Sequence, residues 1–316
     1  MTRAATTDRR SVRTAASFAA VATALYLLVC VAILVSQRGH AEWFTKFGQS
    51  NPAVVDEARR LLGRDVVVAF IDAHDGTCYW SIARDPLLLQ PDDLATHLDR
   101  PRYRAQRVFY SLLASPFRLG GEEALFFGLV IANLGGVFVG SYLAVRLAQE
   151  IVAPTRAGLA FAANPAVIAG VMLDLGDVWA IAALLGTVLN VHRGRWGRAA
   201  AFAVVAALSR EVMLAGIVAL AIGAVGRPVR DRVRLATVPT GVTVAWWIYV
   251  GTRFRWVDMR VDEFTLVPFG GWHSRTSAVG RPMSDGATSS SLSSAWWWPS
   301  VSSSSGCDVA HSSSGQ

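Results

Sequence analysis

The hydrophobic positions of this chain fall in long blocks instead of alternating with polar ones. The first block covers residues 17–35 without a charge, and later blocks cover 124–145, 157–173, 178–191, 199–225 and 235–250. A block of about 20 apolar residues can cross the roughly 30 Å hydrocarbon core of a bilayer as a helix. Helices of a soluble protein would show a polar face in most of these blocks. The pattern predicts an all-α polytopic membrane protein with about six to eight transmembrane helices.

Two blocks leave the number of crossings open. Residues 108–119 are short for a crossing and contain Pro116 and Arg118, so they form either a tilted helix or a half-crossing. Residues 199–225 carry Ser209, Arg210 and Glu211 near the middle and basic clusters on both sides. A single crossing places one basic cluster outside, whereas a helix pair broken near Ser209 keeps both inside.

The blocks divide the chain into five segments. Basic residues before the first block keep the N-terminus cytoplasmic, so the polar residues after it face outward from the plasma membrane. In order, the segments are a cytoplasmic tail (1–16), a first transmembrane helix (17–35), a large extracytoplasmic loop that holds the candidate active site (36–106), a transmembrane bundle (107–272) and a serine-rich tail (273–316).

The hydrophobic pattern stops within the last segment. Residues 273–316 are rich in serine and contain one run of three tryptophans, a composition that cannot build a packed core. A natural low-complexity tail explains this, and so does a reading-frame error in a GC-rich gene. We favour the frame error, because it would convert a hydrophobic continuation into Ser, Arg, Trp and Gly.

Composition narrows the class of partner. The chain is 53% hydrophobic and carries a net charge of +7, which by itself would suit nucleic acid. Its arginines gather at the ends of apolar blocks, as in 192–198 and 226–234, where such charges set membrane topology. The predicted partner is therefore the lipid bilayer and not nucleic acid.

The three cysteines show no paired spacing, and neither CxxC nor HExxH occurs, so no metal site of those types is predicted.

The polar segment 36–106 shows elements of its own. Asn51-Pro52 is typical of a helix N-terminus, and the apolar face that follows predicts a helix lying on the membrane surface. Residues 65–71 are β-branched and indicate a short strand or an element packed on the bundle. The apolar face of the helix consists of Val54, Val55, Ala58, Leu61 and Leu62.

Asp75 is the most informative residue of this segment. Its position predicts the cap of a short helix that Pro86 ends, with Tyr79 and Trp80 in the headgroup layer. The polar stretch around Asp75 is either a solvated turn or a catalytic carboxylate at the membrane surface, with Asp72 as the second candidate.

Residues downstream favour the catalytic interpretation. Arg104 and Arg107 belong to a group of arginines around Tyr103 and Gln106, and an arginine fork binds phosphate through two parallel hydrogen bonds. A carboxylate and an arginine group at one surface suit a lipid substrate with a phosphate head. The alternative, that these arginines only contact anionic headgroups, stays open.

Charges within or between apolar blocks are costly and so call for a reason. Asp174 and Asp177 suit an exposed turn between two blocks. Arg210 and Glu211 lie inside an uncharged block, where they either pair structurally or face a polar cavity that holds a phosphate. Asn164-Pro165 predicts a local helix break.

Taken together, these motifs resemble the GT-C superfamily of bacterial integral-membrane glycosyltransferases, and more narrowly an actinobacterial-type group associated with cell-surface glycopolymers. The resemblance covers roughly residues 15–272 and is carried by an Asp-Gly…Tyr stretch ending in ARDP, then YRAQRVFYSLLA, NP…DLGD and LSRE…L. Members transfer a sugar from a polyprenyl-phosphate donor on the outer face of the membrane, and their first external loop carries an essential acidic residue.

The resemblance implies a role for each candidate residue. Asp75 matches the essential acid, with Asp72 in reserve, and would take the proton of an acceptor hydroxyl on a glycan or lipid. Phosphate binding falls to Arg104, Arg107 and Arg210, with support from Tyr103, Gln106, Asp174, Asp177 and Glu211. The resemblance implies no definite cofactor. A divalent cation could bind the donor phosphate, but no spacing of ligand residues in the sequence requires one.

Two departures from the family and two alternative functions complete the interpretation. Many members have Asp-Glu or Glu-Asp where this chain has Asp75-Gly76, and the family's long C-terminal continuation is missing. A non-catalytic glycolipid transporter or flippase would leave polar residues near mid-membrane and often an internal repeat, which the sequence lacks. A structural subunit of an envelope-assembly complex is the third hypothesis.

Overall fold

The computed structural model describes residues 2–70 and 74–255, and the side chains of 11–68 and 74–255. Asp72 and the serine-rich segment 273–316 lie outside the described residues. Within them the chain is predominantly helical, which confirms the predicted helical class. In chain order the helices are α1 Thr2–Ser36, α2 Pro52–Leu62, α3 Asp75–Arg84, α4 Pro91–His97, α5 Pro101–Arg104, α6 Phe109–Ala114, α7 Glu122–Glu150, α8 Leu159–Ala162, α9 Pro165–Met172, α10 Asp177–His192, α11 Trp196–Ser209, α12 Met213–Gly223 and α13 Val229–Arg253.

Three 3-10 turns and two short strands complete the described secondary structure. The turns cover Ala41–Trp43, Ser115–Gly120 and Thr155–Gly158. The strands, β1 Phe47–Gly48 and β2 Val68–Phe70, pair in parallel, so the apolar stretch predicted at 65–71 does contain a strand. Helix α2 lies between the two parallel strands in the chain and connects them.

Two helices are long and apolar enough to cross a membrane, namely Ser11–Ser36 within α1 and the whole of α7. The first leaves large apolar side chains exposed, with Val21 60% and Leu28 65% accessible. Its buried positions are small residues, Ala15, Ala19, Ala22 and Cys30, which allow close packing on α7. Helices α10, α11 and α12 are apolar but shorter.

Contacts between helix ends define two ends of the bundle. At the site end, where α7 begins, Arg64 pairs with Glu123 at 2.9 Å and Arg84 with Glu122 at 3.4 Å. At the basic end, where α7 stops, Gln149 bonds to Ser11 at 3.2 Å, and Arg193 at the end of α10 pairs with Glu150 at 2.6 Å. The remaining arginines of the basic end are Arg195, Arg198, Arg227, Arg230, Arg232 and Arg234.

The helices run between these two ends in alternation. Helix α12 returns to the basic end, where Arg232 of α13 donates to the Ala221 carbonyl at 2.9 Å. Helix α13 then ends at the site end, where Arg253 donates to the Leu88 carbonyl at 2.7 Å. The passages are α1, α7, the α8–α9 segment, α10, α11, α12 and α13.

Residues 40–70 and 74–104 form a polar layer over the site end, and packing between three aromatic rings holds it on α7. Trp80 of α3 stacks on Phe126 of α7 with ring centroids 5.5 Å apart, and Phe47 meets Trp80 edge-on at 5.6 Å. All three side chains are buried. Such aromatic packing stabilises the layer beyond simple area burial. The polar layer has a hydrophobic core of its own, and the side chains of Tyr79 and Trp80 are both buried in it. The prediction that these two rings lie in the headgroup layer is therefore wrong.

Several local predictions are confirmed. The Asn51 side chain accepts a hydrogen bond from the Val54 N–H at 3.4 Å and caps α2, whose residues Val54, Val55 and Ala58 are buried. Asn164 caps α9 in the same way, through the Ala166 N–H at 2.8 Å. Each cap precedes a proline that fits the first helical turn.

The structure shows the secondary structure of the two blocks whose crossings the sequence left open, residues 108–119 and 199–225. Residues 108–119 form the six-residue α6 and a 3-10 turn, too short for a helical crossing. The block 199–225 is broken after Ser209 into α11 and α12. Arg210, Glu211 and Val212 occupy this break, which faces the polar layer.

Candidate functional site

Asp75 occupies the first turn of α3 at the site end. The N-cap is His74, in extended conformation at φ −92° and ψ 167°, so the prediction that Asp75 itself caps the helix is wrong by one residue. Because Asp75 is inside the helix, its carboxylate does not fold back on the helix end. It reaches outward to Arg104, where Nη1 lies 2.5 Å from Oδ1.

Three arginines surround the Asp75 carboxylate. Besides Arg104, Nη1 of Arg107 lies 3.6 Å and Nη1 of Arg210 3.8 Å from Oδ2. The arginine side chains are 18%, 8% and 15% accessible, while Asp75 is 29% accessible. Partial burial strengthens these interactions relative to water. The carboxylate is thus the more accessible member of the group.

Each arginine also has a second carboxylate partner. Arg104 pairs with Asp99 at 3.0 Å, Arg107 with Glu211 at 2.8 Å and Arg210 with Asp177 at 2.5 Å. The guanidinium of Arg107 also lies 4.4 Å from the centre of the Tyr103 ring and donates to the Tyr103 hydroxyl. We call this group the ion cluster; it consists of Asp75, Asp99, Arg104, Arg107, Asp177, Arg210 and Glu211.

The ion cluster joins elements that are distant in sequence. Asp75 comes from α3, Asp99 and Arg104 from the segment around α5, and Arg107 from the turn that follows. Asp177 begins α10, and the break after α11 supplies Arg210 and Glu211. The break therefore has a structural consequence, because it carries two charges to the site end.

Two buried donors at this site have no hydrogen-bond partner among the described residues, the Tyr79 hydroxyl and Nε of Arg210. Burial raises the pKa of Tyr79 to about 12, against the opposing effect of nearby Arg210 and Arg107. The phenol therefore stays protonated and can donate. An unsatisfied buried donor costs free energy, which a ligand oxygen at this position would recover.

Asp174 lies in a separate buried network beneath α3. Its carboxylate accepts from the Tyr110 hydroxyl at 3.2 Å and from Thr45 at 3.3 Å, and Asn133 donates to the same hydroxyl at 2.9 Å. The residue is fully buried, so the predicted exposed turn is wrong for Asp174. Burial raises the pKa of this carboxyl to about 7, although the Tyr110 and Thr45 bonds act in the opposite direction.

Backbone strain marks the same network. Asp174 has φ +48° and Lys46, which lies within electrostatic range of it, has φ +58°. Non-glycine residues in the left-handed region persist where surrounding contacts hold them. Burial lowers the pKa of Lys46, and the charge of Asp174 opposes that shift.

The structure brings most of the predicted site residues together. Asp75, Arg104, Arg107, Arg210, Asp177, Glu211 and Tyr103 meet in or beside the ion cluster. Gln106 is half-buried and its backbone N–H donates to the Tyr103 carbonyl at 3.3 Å. Sequence reasoning missed the residues that only burial singles out, namely Thr45, Lys46, Tyr79, Tyr110 and Asn133; no local pattern distinguishes them from ordinary core or loop residues.

No group of three or more His, Cys, Asp or Glu side chains within residues 2–70 and 74–255 is arranged to hold a metal ion. Comparison with known proteins gave no match to a family model, to a curated protein or to a solved structure. The resemblance to GT-C glycosyltransferases therefore stays a prediction from the residues.

Proposed function

We propose that the chain is a multi-pass glycosyltransferase of the plasma membrane. It transfers a sugar from a polyprenyl-phosphate donor to a glycan or lipid acceptor at the outer face, with Asp75 as general base. The observation that carries the proposal is the arrangement of one accessible carboxylate among three arginines. The carboxylate can take a proton from an acceptor hydroxyl, while the arginines can stabilise the charge on a departing lipid phosphate.

The distribution of charge supports the orientation. The short connections at the basic end carry Arg193, Arg195 and Arg227, whereas those at the site end, between α9 and α10 and between α11 and α12, carry Arg210 as their basic residue. Positively charged short loops favour the cytoplasmic side. The site end then faces outward, as chemistry on a polyprenyl-phosphate sugar at the outer face requires. Helices α1 and α7 are apolar and long enough to cross a bilayer, and α10, α11 and α12 are apolar but shorter.

Helix lengths indicate the depth of the site in the bilayer. Helix α11 has 14 residues and α12 has 11, which correspond to about 21 Å and about 16 Å. Both are shorter than the roughly 30 Å hydrocarbon core. With their basic-end termini at the inner boundary of that core, the break at Arg210 and Glu211 lies on the order of 10 Å below the outer boundary, so a donor phosphate has to move below the headgroup layer to reach it.

Donor binding and base activation are coupled in this proposal. The three arginines are already paired with carboxylates, so a donor phosphate must compete for their donor groups. We expect it to displace Asp75 first from Arg107 and Arg210, which hold that carboxylate at 3.6 and 3.8 Å, and then from Arg104, which holds it at 2.5 Å. The unpartnered Tyr79 hydroxyl and Arg210 Nε would add donors for phosphate oxygens. Asp75 is then free to accept the acceptor proton.

Sugar transfer itself is the direct test. Membranes that contain the full chain are supplied with radiolabelled polyprenyl-phosphate sugars, both hexosyl and pentosyl, and the incorporated label is compared with membranes that lack the chain. Label that moves across the bilayer without leaving its lipid would favour the transporter alternative. A folded, inserted chain with neither activity would favour the structural-subunit alternative.

Orientation is tested by cysteine labelling in intact cells. In a chain whose own three cysteines are replaced, Asp92→Cys should react with a membrane-impermeant reagent and Arg195→Cys should react only after permeabilisation. Both positions are exposed, so accessibility within the fold does not limit either reaction. The reverse result would place Asp75 on the cytoplasmic side and contradict the proposal.

The arginines are tested by paired substitutions. Arg107→Ala and Arg210→Ala should each lower transfer about 10- to 100-fold, because a charge-assisted hydrogen bond contributes roughly 1.5–3 kcal/mol. Lysine at either position should recover activity only in part, since an ammonium lacks the two-pronged geometry. The control is Arg59→Ala, an exposed arginine of α2 outside the ion cluster.

Initial rates at varied donor concentration, measured well below the thermal midpoint of each variant, separate loss of binding from loss of fold. Alanine variants as active as the unmodified chain at both positions would reduce these arginines to packing or headgroup contacts.

A further inference from the structure

A pocket of about 420 Å³ lies beside the ion cluster, between the start of α2, the first turn of α3 and the end of α4. Its size falls within the range of small-molecule sites. The polar side chains on its wall that matter here are Ser50, His74, Thr77, Thr96, His97 and Asp99. The proposed roles of the ion cluster leave this pocket unused.

The pocket has no uncompensated charge. Its anion, Asp99, pairs with its cation, Arg104, at 3.0 Å. Burial acts to raise the pKa of Asp99, but the hydrogen bonds and charge of Arg104 outweigh it and hold the pKa below its usual value. Burial also lowers the pKa of His97, which keeps that ring neutral near pH 7. A free phosphate would therefore find little net attraction here.

Its hydrogen-bonding groups suit a neutral molecule rich in hydroxyls. The Thr77 hydroxyl donates to the His74 carbonyl at 2.8 Å and the Thr96 hydroxyl donates to the Asp93 carbonyl at 2.7 Å. Both oxygens therefore present acceptor lone pairs to the pocket, while a neutral imidazole at His97 can donate and accept. An apolar ligand would gain little, since Leu98 and Cys78 are the main apolar contributors.

The pocket shares a wall with the candidate base. Arg104 lines the pocket and bonds to Asp75 at 2.5 Å. His74 and Thr77, which also line it, flank Asp75 in the first turn of α3. A hydroxyl at this wall of the pocket would lie close to the carboxylate once Arg104 moves to a donor phosphate.

We propose that this pocket binds a neutral sugar unit, and that the sugar is the acceptor whose hydroxyl is presented to Asp75. The acceptor role rests on the proposed transferase function, whereas binding of a neutral sugar does not. The pocket volume accommodates one or two hexose-sized rings, which points to the end of a glycan instead of a long chain.

Sugar binding is tested on the full chain purified in detergent. The probes are methyl glycosides of mannose, glucose, galactose and arabinose, detected by saturation-transfer difference NMR. At least one should bind, and Thr96→Trp should reduce its signal about tenfold or more by filling the pocket from its exposed rim; a tenfold change corresponds to about 1.4 kcal/mol. Asp56→Trp, an exposed substitution on α2 outside the pocket, is the matched control and should leave binding unchanged.

A second readout uses an engineered thiol. In a chain with its own cysteines replaced, Thr96→Cys should react with a maleimide, and the bound glycoside should slow that reaction severalfold. Binding that survives Thr96→Trp, or the lack of binding by all four glycosides together with no protection of the thiol, overturns the sugar site.

The outcomes also separate this inference from the proposed function. If glycosides bind in a Thr96-dependent way but the chain transfers no sugar, the transferase proposal fails and the sugar site stands. If transfer occurs and Thr96→Trp leaves the acceptor KM unchanged, the pocket is not the acceptor site and the transferase proposal stands. Asp75→Asn should lower transfer by about 10²- to 10⁴-fold.

Discussion

Asp75→Asn is expected to lower sugar transfer by about 10²- to 10⁴-fold, the usual contribution of general-base catalysis. The amide has nearly the same shape, and its oxygen can still accept a hydrogen bond from Arg104, now at 2.5 Å from the carboxylate. It cannot take the proton of the acceptor hydroxyl. The measurement is kcat with a saturating polyprenyl-phosphate donor, on protein whose insertion and thermal midpoint match those of the unmodified chain.

Three neighbouring substitutions make this result specific. Asp99→Asn removes the other carboxylate of Arg104 and changes the wall of the pocket, so it should raise the acceptor KM but lower kcat much less than Asp75→Asn does. His74→Ala and Asp72→Asn should also cost much less than Asp75→Asn. If the substitution at Asp72 or at His74 lowers transfer more than Asp75→Asn does, Asp75 is not the base, even if the class of enzyme is right. An Asp75→Asn variant that transfers sugar as fast as the unmodified chain would mean that the ion cluster only stabilises the fold.

Features that depend on neighbours in sequence were predictable. The cap at Asn51 follows from an Asn-Pro pair before an apolar run and is confirmed. The helix break predicted at Asn164-Pro165 is also confirmed, because it separates α8 from α9. The basic clusters on both sides of residues 199–225 left a single crossing and a helix pair broken near Ser209 as alternatives, and the structure has the break. The number of membrane crossings stays a prediction, because two helices alone meet the length and apolarity of a span among the described residues.

Features that depend on tertiary burial were not predictable in detail. The pair of Arg107 with Glu211 joins residues 104 positions apart, and sequence could place each at the site without showing that they bond. Asp174 looked like an exposed turn residue because carboxylates usually are exposed. Its hydroxyl partners, Thr45 and Tyr110, come from distant elements, so nothing local reveals that it can be buried.

Gly76 illustrates the same point. The proposed family would often have a second carboxylate after Asp75, but the structure leaves no room for any side chain here. A Cβ on residue 76 would lie 2.7 Å from the carbonyl oxygens of both Leu173 and Thr45. The glycine lets α3 approach the turn before α10 and the segment before β1, which sets the position of Asp75.

Gly76→Ala is therefore expected to destabilise the fold by about 1–3 kcal/mol, the usual cost of overpacking a closed site. The clashing atoms are backbone oxygens on two sides, so no side-chain rotation can relieve them. The first turn of α3 must shift, and Asp75 moves from Arg104, so transfer should fall together with stability. By contrast, Asp75→Asn should lower transfer alone.

The matched control is Gly251→Ala in α13, where an added Cβ meets nothing within 4 Å. It should leave transfer unchanged and keep or slightly raise the thermal midpoint, because alanine favours a helix over glycine by about 1 kcal/mol. The thermal midpoint and the transfer rate of both variants are measured in the same detergent. If Gly76→Ala behaves like Gly251→Ala in both, α3 does not contact Thr45 and Leu173 as closely as the structure has it, and the position of Asp75 among the arginines loses its support.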